Sequence, residues 1–125
     1  MPPKKIDINT VREIGLALPG VEDSTAYAAF ALKVHGKLLA CVPTHKSAEP
    51  GSLVVRIDFE RRAELLEADP EAYYLKDHYV NYPAVLVRLS RIHPDALRGL
   101  LSDAWRFVTA KEAGRSKKSA RAKKR

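Results

Sequence analysis

One cysteine, Cys41, is all that the 125-residue chain contains. A lone thiol cannot close an internal disulfide or build a cysteine-rich metal site, and within the apolar string LLACV it reads as an inert core residue. No apolar run approaches the roughly 20 residues that a membrane-spanning helix needs, and the opening MPPKKIDINT lacks the apolar segment of a secretory signal. These absences predict a cytoplasmic protein with no membrane role. Also missing are the strings that announce particular chemistry: GxSxG, GxxxxGK followed by Ser or Thr, a Gly-rich dinucleotide turn, and HExxH. The four histidines, His35, His45, His78 and His93, fall in separate segments at spacings that match no ligand pattern, so neither a metal nor a cofactor is expected.

Charge is present but unevenly placed. The net charge is +7, from 22 Lys and Arg against 15 Asp and Glu. Setting aside the eight basic residues and one Glu of KEAGRSKKSARAKKR (111–125) leaves 14 against 14, a neutral body. The segment 111–125 has no Leu, Ile, Val or aromatic residue, so it cannot bury apolar surface to offset the entropy of ordering. The reading is therefore one domain over residues 1–110 and a disordered basic tail over 111–125.

Within the body, Thr10-Val11-Arg12-Glu13 has the form of a capping box, Ile8, Val11, Ile14 and Leu18 share one helical face, and Pro19-Gly20 ends the helix. TAYAAFALKVHGKLLACVP and SLVVRID predict three or four antiparallel strands, two of them joined at His35-Gly36-Lys37. Between them THKSAEPG (44–51) reads as the least ordered loop of the body. A second helix runs from about Phe59 to Ala68, capped by Asp58 and stopped at Asp69-Pro70. PAVLVRLSR is a strand, and His93-Pro94-Asp95 opens a last helix with the stripe Leu97, Leu100, Leu101, Ala104, Trp105 and Val108. The expected fold is α+β, an antiparallel sheet of five to six strands backed by helices on one side, in the order α-β(3–4)-α-β(2)-α.

That order and three strings resemble the MmcQ/YjbR family of small bacterial proteins. They are Leu18-Pro19-Gly20-Val21-Glu22, the hairpin Lys33-Val34-His35-Gly36-Lys37, and HYVNYPAVLVRL (78–89) ahead of a helix ending in Trp105-Arg106-Phe107-Val108. The resemblance implies a secretion-chaperone-like α+β fold and a family commonly called DNA-binding, without an assigned catalytic set. One departure is visible: many relatives carry Trp near the start of the penultimate strand, where this chain has Ala84.

Catalysis finds little support in the residues. Asp77 and His78 are adjacent and would face opposite ways on a strand, while Cys41 and His45 have no third group to orient them. The binding candidates are two. The first is YYLKDHYVNY (73–82), which holds four of the five tyrosines; extended, it would place Tyr74, Lys76, His78 and Tyr82 on one face, a mixture suited to stacking bases and neutralising phosphate. The same tyrosines equally suit the wall of a core. Tyr82, beside Pro83, is expected to pack, and Tyr74 or His78 to make contact; a positive groove joining Lys76, Arg88 and Arg91 would favour nucleic acid. The second candidate is the tail, whose Lys111, Arg115, Lys117, Lys118, Arg121, Lys123, Lys124 and Arg125 can neutralise phosphates without reading base edges. The leading expectation is a non-enzymatic protein that binds DNA nonspecifically, with RNA left open. Its alternative is a protein-interaction module that uses the sheet face and needs no tail.

Overall fold

The first helix, α1 (Ile8–Leu16), begins one turn earlier than the capping box predicts. Asp7 is the N-cap, its carboxylate accepting from the Thr10 amide at 3.0 Å, so Thr10 lies inside the helix and Asp7 satisfies the open donor. The computed structural model describes the backbone of residues 6–26 and 29–122, with side chains over 6–25 and 29–110. After α1 come four strands, β1 (Val21–Ala26), β2 (Ala29–Val34), β3 (Lys37–Cys41) and β4 (Ser52–Arg56), then α2 (Phe59–Ala68), β5 (Tyr73–Tyr74), β6 (Ala84–Arg88) and α3 (Pro94–Ala122). The strands form one antiparallel sheet in the order β1-β2-β3-β4-β6-β5, as the α+β expectation requires.

Local chemistry accounts for the joints. Val34 pairs with Lys37 across a two-residue turn in which His35 and Gly36 both have positive φ, 53° and 79°, the geometry whose twist matches a hairpin. Further along the same pair, the register shifts between Leu32 and Lys33, leaving Leu39 as an extra residue; this bulge turns both Leu39 and Ala40 into the same core. Asp58 caps α2 through the Arg61 amide at 2.6 Å, and Pro94 opens α3.

All three helices pack on one face of the sheet. Val11 of α1, Leu65 of α2 and Leu97, Leu100, Leu101, Ala104 and Val108 of α3 join Leu53, Val55, Val85 and Val87 in the main core. Trp105 flanks that stripe and ties α3 to the turn after α1 by donating its indole N–H to the Pro19 carbonyl at 2.8 Å. The opposite face carries a second cluster of Ala31, Cys41, Val54, Tyr74, Tyr79, Ala84 and Leu86, to which none of the three helices contributes. The irregular segments before β4, through Ala48, and after β5, through Leu75 and Tyr79, lie over it, which is why β4 and β6 are apolar at nearly every position and do not alternate.

The backbone of α3 continues to Ala122, through most of the segment that composition predicts to be disordered. A single helix can propagate without burying a face once it has been nucleated, and Ala, Lys, Arg and Glu are strong helix formers. The side chains of Lys111, Arg115, Lys117, Lys118 and Arg121, and the whole of Lys123, Lys124 and Arg125, lie outside the described residues.

Candidate binding groove on the helix-free face

The tyrosine-rich stretch is not one strand. After Tyr73–Tyr74 it leaves the sheet and coils into a single 3-10 turn at Asp77–Tyr79, closed by the Tyr79 amide on the Lys76 carbonyl at 2.8 Å. The predicted single face of Tyr74, Lys76, His78 and Tyr82 is therefore broken: Lys76 stays beside the Tyr74 ring, while His78 and Tyr82 line a separate groove.

Tyr74 is buried, 7% exposed, and its hydroxyl is shared between the Ser52 hydroxyl at 2.5 Å and the Glu49 amide at 2.8 Å. The Arg88 guanidinium lies over its ring at 4.3 Å. Arg88 is fully engaged: it grips both carboxylate oxygens of Glu49, at 2.8 and 2.9 Å, and donates to the carbonyls of Pro70 and Glu71. That grip holds the Glu49 carboxyl below its ordinary value of 4.5. A positive groove joining Lys76, Arg88 and Arg91, the feature that would favour nucleic acid over an interaction module, does not form, because Arg88 is neutralised by Glu49 and Arg91 sits 3.8 Å from Glu71. Lys76 is exposed, its ammonium 5.9 Å from the Tyr74 ring. The same Glu49 and Tyr74 contacts pin the 44–51 loop, which sequence reads as the least ordered part of the body, across the sheet.

Tyr82 has the opposite environment from the one expected. It is 57% exposed, more so than any other large apolar side chain described. Its backbone is held firmly: the Tyr82 amide donates to Tyr79, the Arg62 guanidinium donates to the carbonyls of Tyr82 and Ala84, and the Pro83 carbonyl receives the Ile57 amide and the Arg56 Nε. A braced segment thus presents an exposed ring.

Between this segment and residues 42–45, just past the end of β3, lies a groove of about 480 Å³. Leu38, Cys41, Val54 and Ala84 line its apolar part, and His45, His78, Tyr79, Tyr82 and Arg56 stand around them. The His45 and His78 rings stack in parallel, centroids 3.7 Å apart and planes 11° apart, with Tyr79 edge-on to both. His78 and Tyr82 are tilted neighbours at 6.4 Å. His45 Nδ1 meets both the Ser47 hydroxyl at 2.7 Å and the Ser47 amide at 3.1 Å, which ties the ring to its own loop. Parallel stacked imidazoles aim their lone pairs side by side and do not converge, a poor start for a metal site. Among the described residues no group of three or more His, Cys, Asp or Glu converges. Burial pushes the Cys41 thiol up, away from the thiolate that nucleophilic chemistry requires. Burial likewise pushes Tyr79 up and lowers Arg56.

Asp77 and His93 are not among the residues that line the groove. Asp77 is exposed at the start of the 3-10 turn, and His93 is exposed at the mouth of α3, where its Nδ1 accepts from the Asp95 amide. Sequence reasoning missed His45 and Arg56 as partners of this groove. His45 is legible only as a base for Cys41, and nothing in a linear string says that a loop residue will stack on a ring 33 positions later. No helix among the described residues is long and apolar enough to cross a membrane.

Comparison with known proteins bears on the same segments. The solved structure of Deinococcus radiodurans protein DR2400, whose family-model domain is DUF419, superposes with a TM-score of 0.69 over 89% of this chain and 83% of that one at 24% identity, which speaks for the fold alone. Two curated mycobacterial relatives, the uncharacterized proteins Rv2570 of Mycobacterium tuberculosis H37Rv and Mb2600 of Mycobacterium bovis, are each 36% identical over 73 residues. Those matches take in 55% of this chain and only 57% of the relatives' length. The YjbR family model matches residues 16–107, from the last residue of α1 through the sheet and the groove to the buried part of α3, and the chain belongs to the YjbR family.

Proposed function

We propose that this chain is a non-enzymatic nucleic-acid-binding protein that holds unpaired stretches of DNA on its helix-free sheet face, nonspecifically, in the cytoplasm. The observation that carries the reading is the exposed Tyr82 ring on a braced backbone, beside the His78–His45 stack at the mouth of an apolar groove. Every base has a face to stack, so such a platform binds single strands with little regard to sequence. The basic residues 111–125 add phosphate neutralisation to a body whose own charge is balanced. No catalytic step is assigned: Cys41 is buried and His45 is held by Ser47.

A second reading, a protein-interaction module on the same face, is favoured by the apolar floor of Leu38, Val54 and Ala84. The two differ in what responds to a strand. Titrating a short oligothymidylate into the isotope-labelled full chain should shift the His45, His78 and Tyr82 ring signals first, with little change at α1. Shifts confined to the helix face, or none at all up to millimolar strand, would remove the nucleic-acid reading and leave the interaction module.

A further inference from the structure

We infer that the groove behind the platform accommodates one nucleotide unit, its base against the apolar floor and its phosphate on Arg56. The nature of the ligand rests on the strand-binding reading, but the site itself stands on the groove. A volume of about 480 Å³ is within the range of small-ligand sites. The floor at Cys41, Val54 and Ala84 is apolar, and the walls are flat rings, which suits a planar heterocycle.

Arg56 supplies the anion-binding half of the site. Its Nε donates to the Pro83 carbonyl at 3.3 Å, which fixes the plane of the guanidinium, and the ring of Phe107 lies 5.8 Å from its centre. Among the described residues no carboxylate lies within ion-pair distance of it and its Nη groups have no hydrogen-bond partner, although burial already disfavours its charge. Arg12, Arg61, Arg88, Arg98 and Arg106 each have a carboxylate. A half-buried guanidinium among the residues that line an apolar groove, with two nitrogens open, is suited to forked recognition of an anion's oxygens. A planar ring that carries an anionic oxygen group is the chemistry common to both halves, and a nucleoside monophosphate is its free form.

The test titrates adenosine 5′-monophosphate, adenosine and inorganic phosphate separately into the full chain and follows the His45, His78 and Tyr79 ring signals. The monophosphate should saturate these shifts, and adenosine and phosphate should each bind about tenfold more weakly or less. Arg56→Gln should weaken the monophosphate by about tenfold and leave adenosine unchanged. Ala84→Leu, which fills the floor, should abolish both; if that variant does not fold, Arg56→Gln alone decides. Equal binding of monophosphate and adenosine, or no effect of Arg56→Gln, overturns the inference. Oligothymidylate binding with a silent monophosphate would overturn the inference and keep the strand reading. Saturable monophosphate binding without strand binding would keep the groove as a small-molecule site and remove the strand reading.

Discussion

A single hydroxyl, that of Tyr74, bonds the buried Ser52 side chain and the Glu49 amide, and so fixes the loop that forms one wall of the groove. Tyr74→Phe leaves Ser52 and the amide without that partner and should cost about 1–3 kcal/mol of stability by denaturant titration. Gly15 is the other sensitive position: a Cβ there would overlap Leu32 Cδ1 in the core under α1. Gly15→Ala should therefore destabilise by about 1–3 kcal/mol despite the better helix propensity of Ala, and a raised melting temperature would contradict the packing described. At the same scale, Glu49 titrates below its ordinary 4.5 in the folded chain because of Arg88. A depressed carboxylate stabilises the fold above its unfolded value and loses that contribution as the pH falls through the folded one. Glu49→Gln should flatten the acid limb of stability below pH 4.5, with little effect on its shape at neutral pH. Residue by residue, burial was legible where an apolar position fell inside a regular pattern, as for Cys41 and Leu101. It was not legible for Tyr74 and Tyr82, whose exposures of 7% and 57% depend on where a short strand ends.

Elements were read most reliably where their ends carry their own chemistry. Asp58 before α2, Pro94 at the start of α3 and His35-Gly36 between β2 and β3 each satisfy a local backbone requirement that needs no distant partner. The 3-10 turn at Asp77–Tyr79 has no side-chain cap; it is set by the need to cover the second face of the sheet, a tertiary demand that no window of ten residues contains. The early start of α1 is a local contest instead, in which Asp7 takes the cap in place of Thr10. α3 offers a direct check on its own helicity: Gly99 lies in its interior with nothing within 4 Å of the position a Cβ would take. Gly99→Ala should raise stability by about 0.5–1 kcal/mol, seen as a shift in the denaturation midpoint at constant slope.

At the scale of the molecule, the proposed function rests on a neutral body with exposed rings and an apolar groove, and on the charge of the basic segment 111–125. Truncating the chain at residue 110 should lower the log-log salt slope of DNA binding by about 0.9 for each duplex phosphate that the segment no longer neutralises, without moving the Tyr82 and His78 signals of the free protein. The stacking platform itself stands or falls on Tyr82→Ala, whose affinity for a single-stranded oligonucleotide is to be measured together with its melting temperature. Binding should weaken by about 1–3 kcal/mol at an unchanged melting temperature, because the ring is exposed and packs against little. Unchanged affinity, or a loss of affinity that only follows a loss of fold, would contradict the platform.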